Sequence, residues 1–303
     1  MEQTFYSNGK LLITGEYLVL DGTKALALPT KYGQYLKIAS GEIGKIHWSS
    51  FDADNSIWFE ETLSFSEIIN FNLKDNLSER ATLIKILHEA HLLNTRFLDS
   101  SKGYSISTVL SFPKLWGLGT SSTLINNIAQ WFQIDAFALL KNSFGGSGYD
   151  IACAQNNTPI LYQLINGLPM IEKVNFNPNF TDTIYFVYLN KKQSSKIAID
   201  NYYKNQKNLE AYFPIINKIT SAVLNSNSLE EFSILLEKHE QVMSSILELP
   251  TVKESLFCDF NGSIKSLGAW GGDFVLVVSK ENPISYFKNK GFKTIVAYKD
   301  MIL

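Results

Sequence analysis

The segment Pro113-Lys-Leu-Trp-Gly-Leu-Gly-Thr-Ser-Ser122 constrains this chain more than any other. It joins an alternating, strand-like run from Tyr104 to Ser111 to a helix-like run that begins near Ser121. A turn of this kind can cradle phosphate. Gly117 and Gly119 let the backbone approach an anion, and the unpaired amides and positive end of the following helix attract it. Thr120, Ser121 and Ser122 add hydroxyls for hydrogen bonds or for a magnesium ion. Taken alone, the stretch also reads as an ordinary strand-to-helix connection, the commoner case. It is neither a Walker loop, which would end in Gly-Lys-Ser/Thr, nor a G-x-G-x-x-G dinucleotide turn, because its G-x-G is followed by hydroxyls.

A chain of 303 residues, 45% hydrophobic and 18% charged, can bury a core for one large or two medium domains. Its net charge of -2 gives no basic field for nucleic acid. No apolar run approaches the roughly 20 residues that span a bilayer, and the first residues lack the basic-then-apolar pattern of a signal peptide. The expectation is a cytoplasmic protein with no membrane or nucleic-acid partner. Cys153 and Cys258 read as buried thiols, since a large core makes a single disulfide unnecessary.

From Leu11 to about Trp58, short apolar or alternating runs broken by glycines read as antiparallel strands. Ser78 is placed to cap a helix through Asn94 with the apolar stripe Leu83, Ile86, Leu87, Ala90 and Leu93. His88 and His91 at its edge have no third ligand nearby and read as surface imidazoles. Helices follow after the turn, to about Phe132, from Asp135, and from Tyr149 or Asp150. Pro159 to Gln163 and Thr183 to Asn190 read as strands, with Asn166 to Asp182 as the boundary region. The second half is helix-rich from Ile197 to Cys258, with a capping box at Ser228 to Glu231. A strand at Phe274 to Ser279, a helix at Pro283 to Lys290 and a strand at Lys293 to Ala297 complete a helix-backed antiparallel sheet.

Three further segments stand in order around the glycine turn: Gly9-Lys-Leu-Leu-Ile-Thr-Gly-Glu-Tyr-Leu-Val-Leu-Asp-Gly22, Gly145-Gly-Ser-Gly-Tyr-Asp-Ile-Ala152 and Lys265-Ser-Leu-Gly-Ala-Trp-Gly-Gly-Asp273. Together with the turn, whose family form is roughly P-x-x-x-G-L-G-S-S, they resemble the GHMP kinases over residues 9 to about 278. Gly15-Glu-Tyr17, Gly146-Ser-Gly-Tyr-Asp150 and the Gly-Gly-Asp273 ending are similar to the phosphomevalonate kinase branch, while the chain length is nearer that of a mevalonate kinase. The resemblance implies the two-domain α+β GHMP fold. An N-terminal ribosomal-protein-S5-like nucleotide domain with a left-handed βαβ unit would occupy 1–170, and a ferredoxin-like domain 171–303.

The resemblance also implies ATP and Mg2+ as cofactors and a small anionic acceptor of the mevalonate (isoprenoid) pathway, in a monomer or homodimer. Phosphomevalonate is the first acceptor, mevalonate the alternative, and a noncatalytic sensor of the same fold the further alternative. Lys10 and Asp150 would be catalytic. Pro113, Gly117, Leu118, Gly119, Thr120, Ser121 and Ser122 would hold the nucleotide, with Ser121 on the metal. Glu16, Tyr17, Ser147, Lys192, Ser194, Ser195, Gly271, Gly272 and Asp273 would meet the acceptor, and Lys191 and Lys196 lie beside that serine loop. Outside the motif, Lys10 reads as a solvated charge and Asp150 as a helix cap. The stretch Asp135 to Ser143 lacks the glutamate that family members often place on magnesium, which leaves Asp135 in a re-registered helix, or Ser121 with phosphate oxygens and water, to hold the ion. Trp270, where the family has glycine, would cap the acceptor pocket or pack on a neighbour, and Trp116 would flank adenine or fill core.

Overall fold

The computed structural model describes residues 2–72, 78–99, 101–192, 195–204 and 209–303, the side chains of 195–197, 200 and 201 excepted. The chain divides into two compact units. Met1–Gly9, Tyr32–Lys114 and Leu118–Gln155 form the first; Lys10–Lys31, Leu115–Gly117 and Asn156–Leu303 form the second.

The first unit draws on β1 (Gln3–Thr14), β2 (Ala25–Ser40), β3 (Lys45–Phe51), β4 (Ile57–Ser64), α1 (Phe65–Ile69), α2 (Glu79–Leu93), β5 (Tyr104–Leu110), α3 (Thr120–Phe132), α4 (Ala136–Ser143) and α5 (Tyr149–Gln155). Its sheet runs β4-β3-β5-β2, with β3 parallel to β5 and the other neighbours antiparallel. In β2, Leu36 and Ile38 are buried while Tyr35, Lys37 and Ala39 are exposed, the period of two that puts one face on a core. That face, with Trp48 and Ile106, meets Leu83, Ile86, Leu87 and Ala90 of α2 and Ile125, Ile128 and Phe132 of α3.

Ser78 caps α2 by accepting the Ala81 N–H, and the predicted stripe is buried except at Leu93, which is 41% exposed. His88 and His91 are half-buried rather than surface imidazoles. His88 Nδ1 lies 2.8 Å from the Ile68 carbonyl, and His91 Nδ1 is buried without a hydrogen-bond partner.

The inner side of α3 is not wholly apolar. Thr123, Asn126 and Asn127 are buried there. Ser7 Oγ donates to Asn127 Oδ1 (2.7 Å), Asn126 Nδ2 to Ser7 Oγ (2.8 Å) and Asn127 Nδ2 to the Gln34 carbonyl (2.9 Å). Thr123 Oγ1 donates to Gln34 Oε1 (2.8 Å), and Gln155 Nε2 to Asn126 Oδ1 (3.0 Å). This seam of neutral groups ties α3 to β1, β2 and the end of α5, and its directional bonds fix positions that apolar contacts would leave free to slide.

The second unit takes Ala25–Ala27 of β2, which pairs with β6 (Ile160–Ile165), itself paired with β7 (Leu168–Lys173). A four-stranded antiparallel sheet, β11-β8-β10-β9, is made by β8 (Ile184–Tyr188), β9 (Ser263–Ser266), β10 (Phe274–Val278) and β11 (Ile295–Ala297). Helices α6 (Ser195–Lys204), α7 (Phe213–Leu224), α8 (Leu229–Leu247), α9 (Val252–Leu256), α10 (Ile284–Asn289) and α11 (Tyr298–Met301) complete it. All five residues of β10 are buried, as a strand covered on both faces requires. Ser228 caps α8 by accepting the Glu231 N–H.

The stretch read as a boundary contains β7. Asn166 and Gly167 both have positive φ (53° and 75°) between the paired residues Ile165 and Leu168, the geometry that an Asn-Gly hairpin turn needs. Cys153 is buried as expected, but Cys258 is exposed, and the two are not joined by a disulfide. Among the described residues no helix is long and apolar enough to cross a membrane.

Asn127→Ala removes the shared partner of a buried hydroxyl and a buried carbonyl, so urea unfolding should show a loss of about 2–5 kcal/mol. An unchanged midpoint would mean that the seam carries no net stability.

Candidate functional site

In the first unit the phosphate-type turn is anchored at its start. The Lys114 N–H donates to Asp52 Oδ1 (2.9 Å), and its ammonium pairs with Glu79 (2.8 Å) above the Trp58 ring. Pro113 is exposed and the Leu118 side chain is fully buried, so Leu118 offers only its backbone. Gly119 is the N-cap of α3 with φ 99°, left-handed, and contributes no side chain to cap it. The first-turn amides therefore meet no capping side chain at the positive end of a 13-residue helix. Ser121 is exposed there and Thr120 half-buried. Ser122 is buried and donates to the Gly119 carbonyl (2.9 Å), so its hydroxyl shapes the turn.

Asp150 lies in the first turn of α5, half-buried, with Oδ1 accepting the Ile151 N–H at 3.0 Å. Helix-end amides favour the ionised carboxylate at that place. Ser147 is half-buried just before it. The seam joins Asn126 of α3 to Gln155 of α5, so the two helices that carry the turn and Asp150 are held to each other. Asp135 caps α4 by accepting the Phe137 N–H (2.9 Å), a role that a short polar side chain fills without a metal.

In the second unit Lys10 Nζ donates to the Gly117 carbonyl (3.1 Å). Gly117 has φ 70°, and a Cβ there would stand 2.3 Å from Asp273 Oδ2, so only glycine fits. The Asp273 N–H donates to the Lys191 carbonyl, and its own carbonyl accepts the Leu189 N–H, both at 2.8 Å. Tyr188 donates its phenol proton to the Leu115 carbonyl (3.0 Å), and Trp116 packs edge-on to Phe274. Trp116 is half-buried there. Lys10, Gly117 and Asp273, which come from three separate motifs, are thus brought together.

Glu16, expected at the acceptor, is 4% exposed, and its carboxylate accepts from the ammonium of Lys265, which is 1% exposed. Lys265 also donates to the Ser266 carbonyl (2.8 Å) and lies 3.9 Å from Glu240. The Gly15 N–H donates to His239 Nε2 (3.0 Å), which places the imidazole proton on Nδ1. Burial holds His239 well below its usual range, with Lys265 adding to the effect. Burial also raises Glu16, opposed by Lys265, and pushes Glu240 up to about 8. The pocket thus gathers around Lys265 two carboxyl groups whose protonated form burial favours and an imidazole whose neutral form burial favours.

Tyr17 has φ 60° and ψ -52°, and the Leu18 N–H reaches back to the Glu16 carbonyl (2.7 Å). This is a γ-turn of the rare strained hand. Its ring stacks on Tyr202, and its hydroxyl accepts the Trp270 N–H (2.8 Å), while the Trp270 indole N–H donates to the Pro250 carbonyl (3.1 Å). Trp270 is therefore a packing residue of its own unit. Gly271 has φ 74°, and Gly272 is buried. Lys192 is exposed; Ser194 lies outside the described residues, as do the side chains of Ser195 and Lys196.

Lys265, His239 and Glu240 were not singled out by the sequence, yet α8 carried a signal. Its buried positions Leu236, Met243, Ile246 and Leu247 set a helical stripe, and His239 with Glu240 falls on it. Among the described residues no three His, Cys, Asp or Glu side chains could hold a metal.

No family profile matches the sequence, and neither does any curated protein. Solved structures do match. A mevalonate kinase aligns over 97% of this chain and 96% of its own at 17% identity, TM-score 0.71. The Streptococcus pneumoniae phosphomevalonate kinase in complex with phosphomevalonate and AMPPNP aligns over 97% and 99%, also at 17% and 0.71. Lactococcus lactis galactokinase complexed with galactose aligns over 95% and 88% at 13%, TM-score 0.69. The chain has the two-domain α+β fold of the GHMP kinases.

Glu240 binds its proton more tightly when folded (about 8) than at its ordinary 4.5. Its contribution is complete below about pH 4.5, declines as pH rises and is gone above about pH 8, a change on the order of a few kcal/mol. The melting temperature should therefore fall from pH 6.5 to 9, and Glu240→Gln should flatten that slope. Equal slopes in the two proteins would place the titration elsewhere.

Proposed function

We propose that this protein is an ATP- and magnesium-dependent small-molecule kinase of the GHMP type that phosphorylates a small anionic acceptor, phosphomevalonate, in the mevalonate route to isoprenoids. The observation that carries the reading is the uncapped start of α3 at left-handed Gly119, joined by a buried polar seam to the helix bearing Asp150. Open amides at a helix N-terminus suit a polyphosphate, and phosphoryl transfer asks chiefly for positioning and charge neutralisation.

The roles follow the motif positions. Gly117, Gly119 and the amides and hydroxyls of 120–122 would cradle the nucleotide, and Lys10 would place its compact charge against the transferring group. Asp150 would take the proton of an alcohol acceptor, or orient the cation for a phosphate acceptor that is already ionised near neutral pH. A bound magnesium ion neutralises charge on the phosphates. With no carboxylate cluster for it among the described residues, Ser121 and the phosphate oxygens, together with waters, would hold it. The division into a nucleotide domain at 1–170 and a second domain at 171–303, and a cytoplasmic location, belong to the same proposal.

Mevalonate is the second reading, favoured by one observation: a mevalonate kinase and a phosphomevalonate kinase match at the same TM-score of 0.71. Purified protein with ATP and magnesium should release ADP when phosphomevalonate is added. ADP release with mevalonate instead would select the second reading, and none with any acceptor would leave a noncatalytic nucleotide-binding protein. Asp150→Asn should cost about 100- to 10,000-fold in kcat with an alcohol acceptor and only a mild loss with a phosphate one.

A further inference from the structure

Within the second unit, Trp270 and Gly271 form part of the wall of a cavity of about 470 Å³. That volume is in the range of about 300–1,000 Å³ that small-molecule sites occupy. Leu189, Leu249, Pro250, Val252, Leu256 and Phe292 supply most of the remaining wall. Leu249 and Leu256 keep 49% and 48% of their surface exposed, apolar area that a ligand in the cavity would cover.

The polar groups of the wall are already spent. The Trp270 indole N–H goes to the Pro250 carbonyl, its backbone N–H to Tyr17, and the Ser255 hydroxyl to the Thr251 carbonyl (2.9 Å). The Trp270 ring thus presents an apolar face, and among the described wall residues no side chain besides Lys191 is left to donate. A polyol entering here would lose water without regaining its hydrogen bonds. A neutral hydrocarbon would leave the Lys191 ammonium unused.

The geometry points to a binding site for a small amphiphilic anion, an apolar tail of several carbons lying on Trp270 and Leu256 with a single phosphate or carboxylate head on Lys191. This goes beyond the kinase reading and does not depend on it, since binding requires no turnover. A ligand here would touch Gly271, two residues from Asp273, and so can be either an acceptor or an effector of that turn.

The test uses the whole chain and a series of n-alkyl phosphates from butyl to octyl, read by tryptophan fluorescence and calorimetry without ATP. Binding should saturate and tighten about fourfold per added methylene. Lys191→Met, an exposed substitution checked for an unchanged melting temperature, should weaken octyl phosphate about tenfold or more. Trp270→Phe should abolish the fluorescence change while calorimetric binding persists. The proposal is overturned if octanol binds as tightly as octyl phosphate, if inorganic phosphate matches it, if Lys191→Met has no effect, or if the fluorescence change survives in Trp270→Phe. Phosphorus NMR with ATP present then separates the two sources: a new diphosphate marks an acceptor, and an unaltered but bound ligand marks an effector.

Discussion

A lysine with 1% of its surface exposed needs a reason to be there, and in this protein the reason is Glu16. Burying two charges costs several kcal/mol each, so a pair of this kind is poor evidence for stability. What the pair does is positional. Glu16 begins the γ-turn centred on Tyr17, a conformation that costs about 1–3 kcal/mol and persists only where neighbours over-determine it. Lys265 holds the carboxylate, His239 accepts from Gly15, Tyr202 stacks on the ring, and Trp270 donates to the hydroxyl. Four restraints from α6, α8, β9 and the following turn converge on three residues.

The same unit shows why glycine spacing mattered more than any single charged residue. Lys10 is held by the Gly117 carbonyl, and Gly117 can lie against Asp273 only because it has no side chain. Asp273 adopts φ 52°, a conformation that a short acidic side chain tolerates better than most. Three segments separated by more than a hundred residues are thus placed by close backbone approach, with the side chains filling in around it.

The elements legible in the sequence were those in which local chemistry and tertiary environment agree. The α2 stripe with Ser78 at its head, the start of α3 after Gly119 and the opening of α5 at Tyr149 are each set by capping and periodicity. The Asn166-Gly167 turn was equally legible, but the polar, proline-bearing residues around it favoured a boundary. Pro169 and the exposed Leu168 and Met170 fit an outer strand paired on one side by β6. Glu16 illustrates the opposite case. Its motif position suggested a ligand, whereas its actual partner, Lys265, is 249 residues away, and no local rule reaches that far.

The two units solve the same problem with different chemistry. The first places its turn and Asp150 through amides and hydroxyls, none of which titrates near neutral pH, so the seam keeps its geometry over the range in which a phosphoryl acceptor changes charge. The second uses buried ionisable groups, and burial pushes Glu240 up to about 8. A proton lost there adds a buried negative charge beside Glu16. The imbalance falls on Lys265 and on the strained turn it restrains, so the turn at Tyr17 is the part of the site whose geometry is tied to pH.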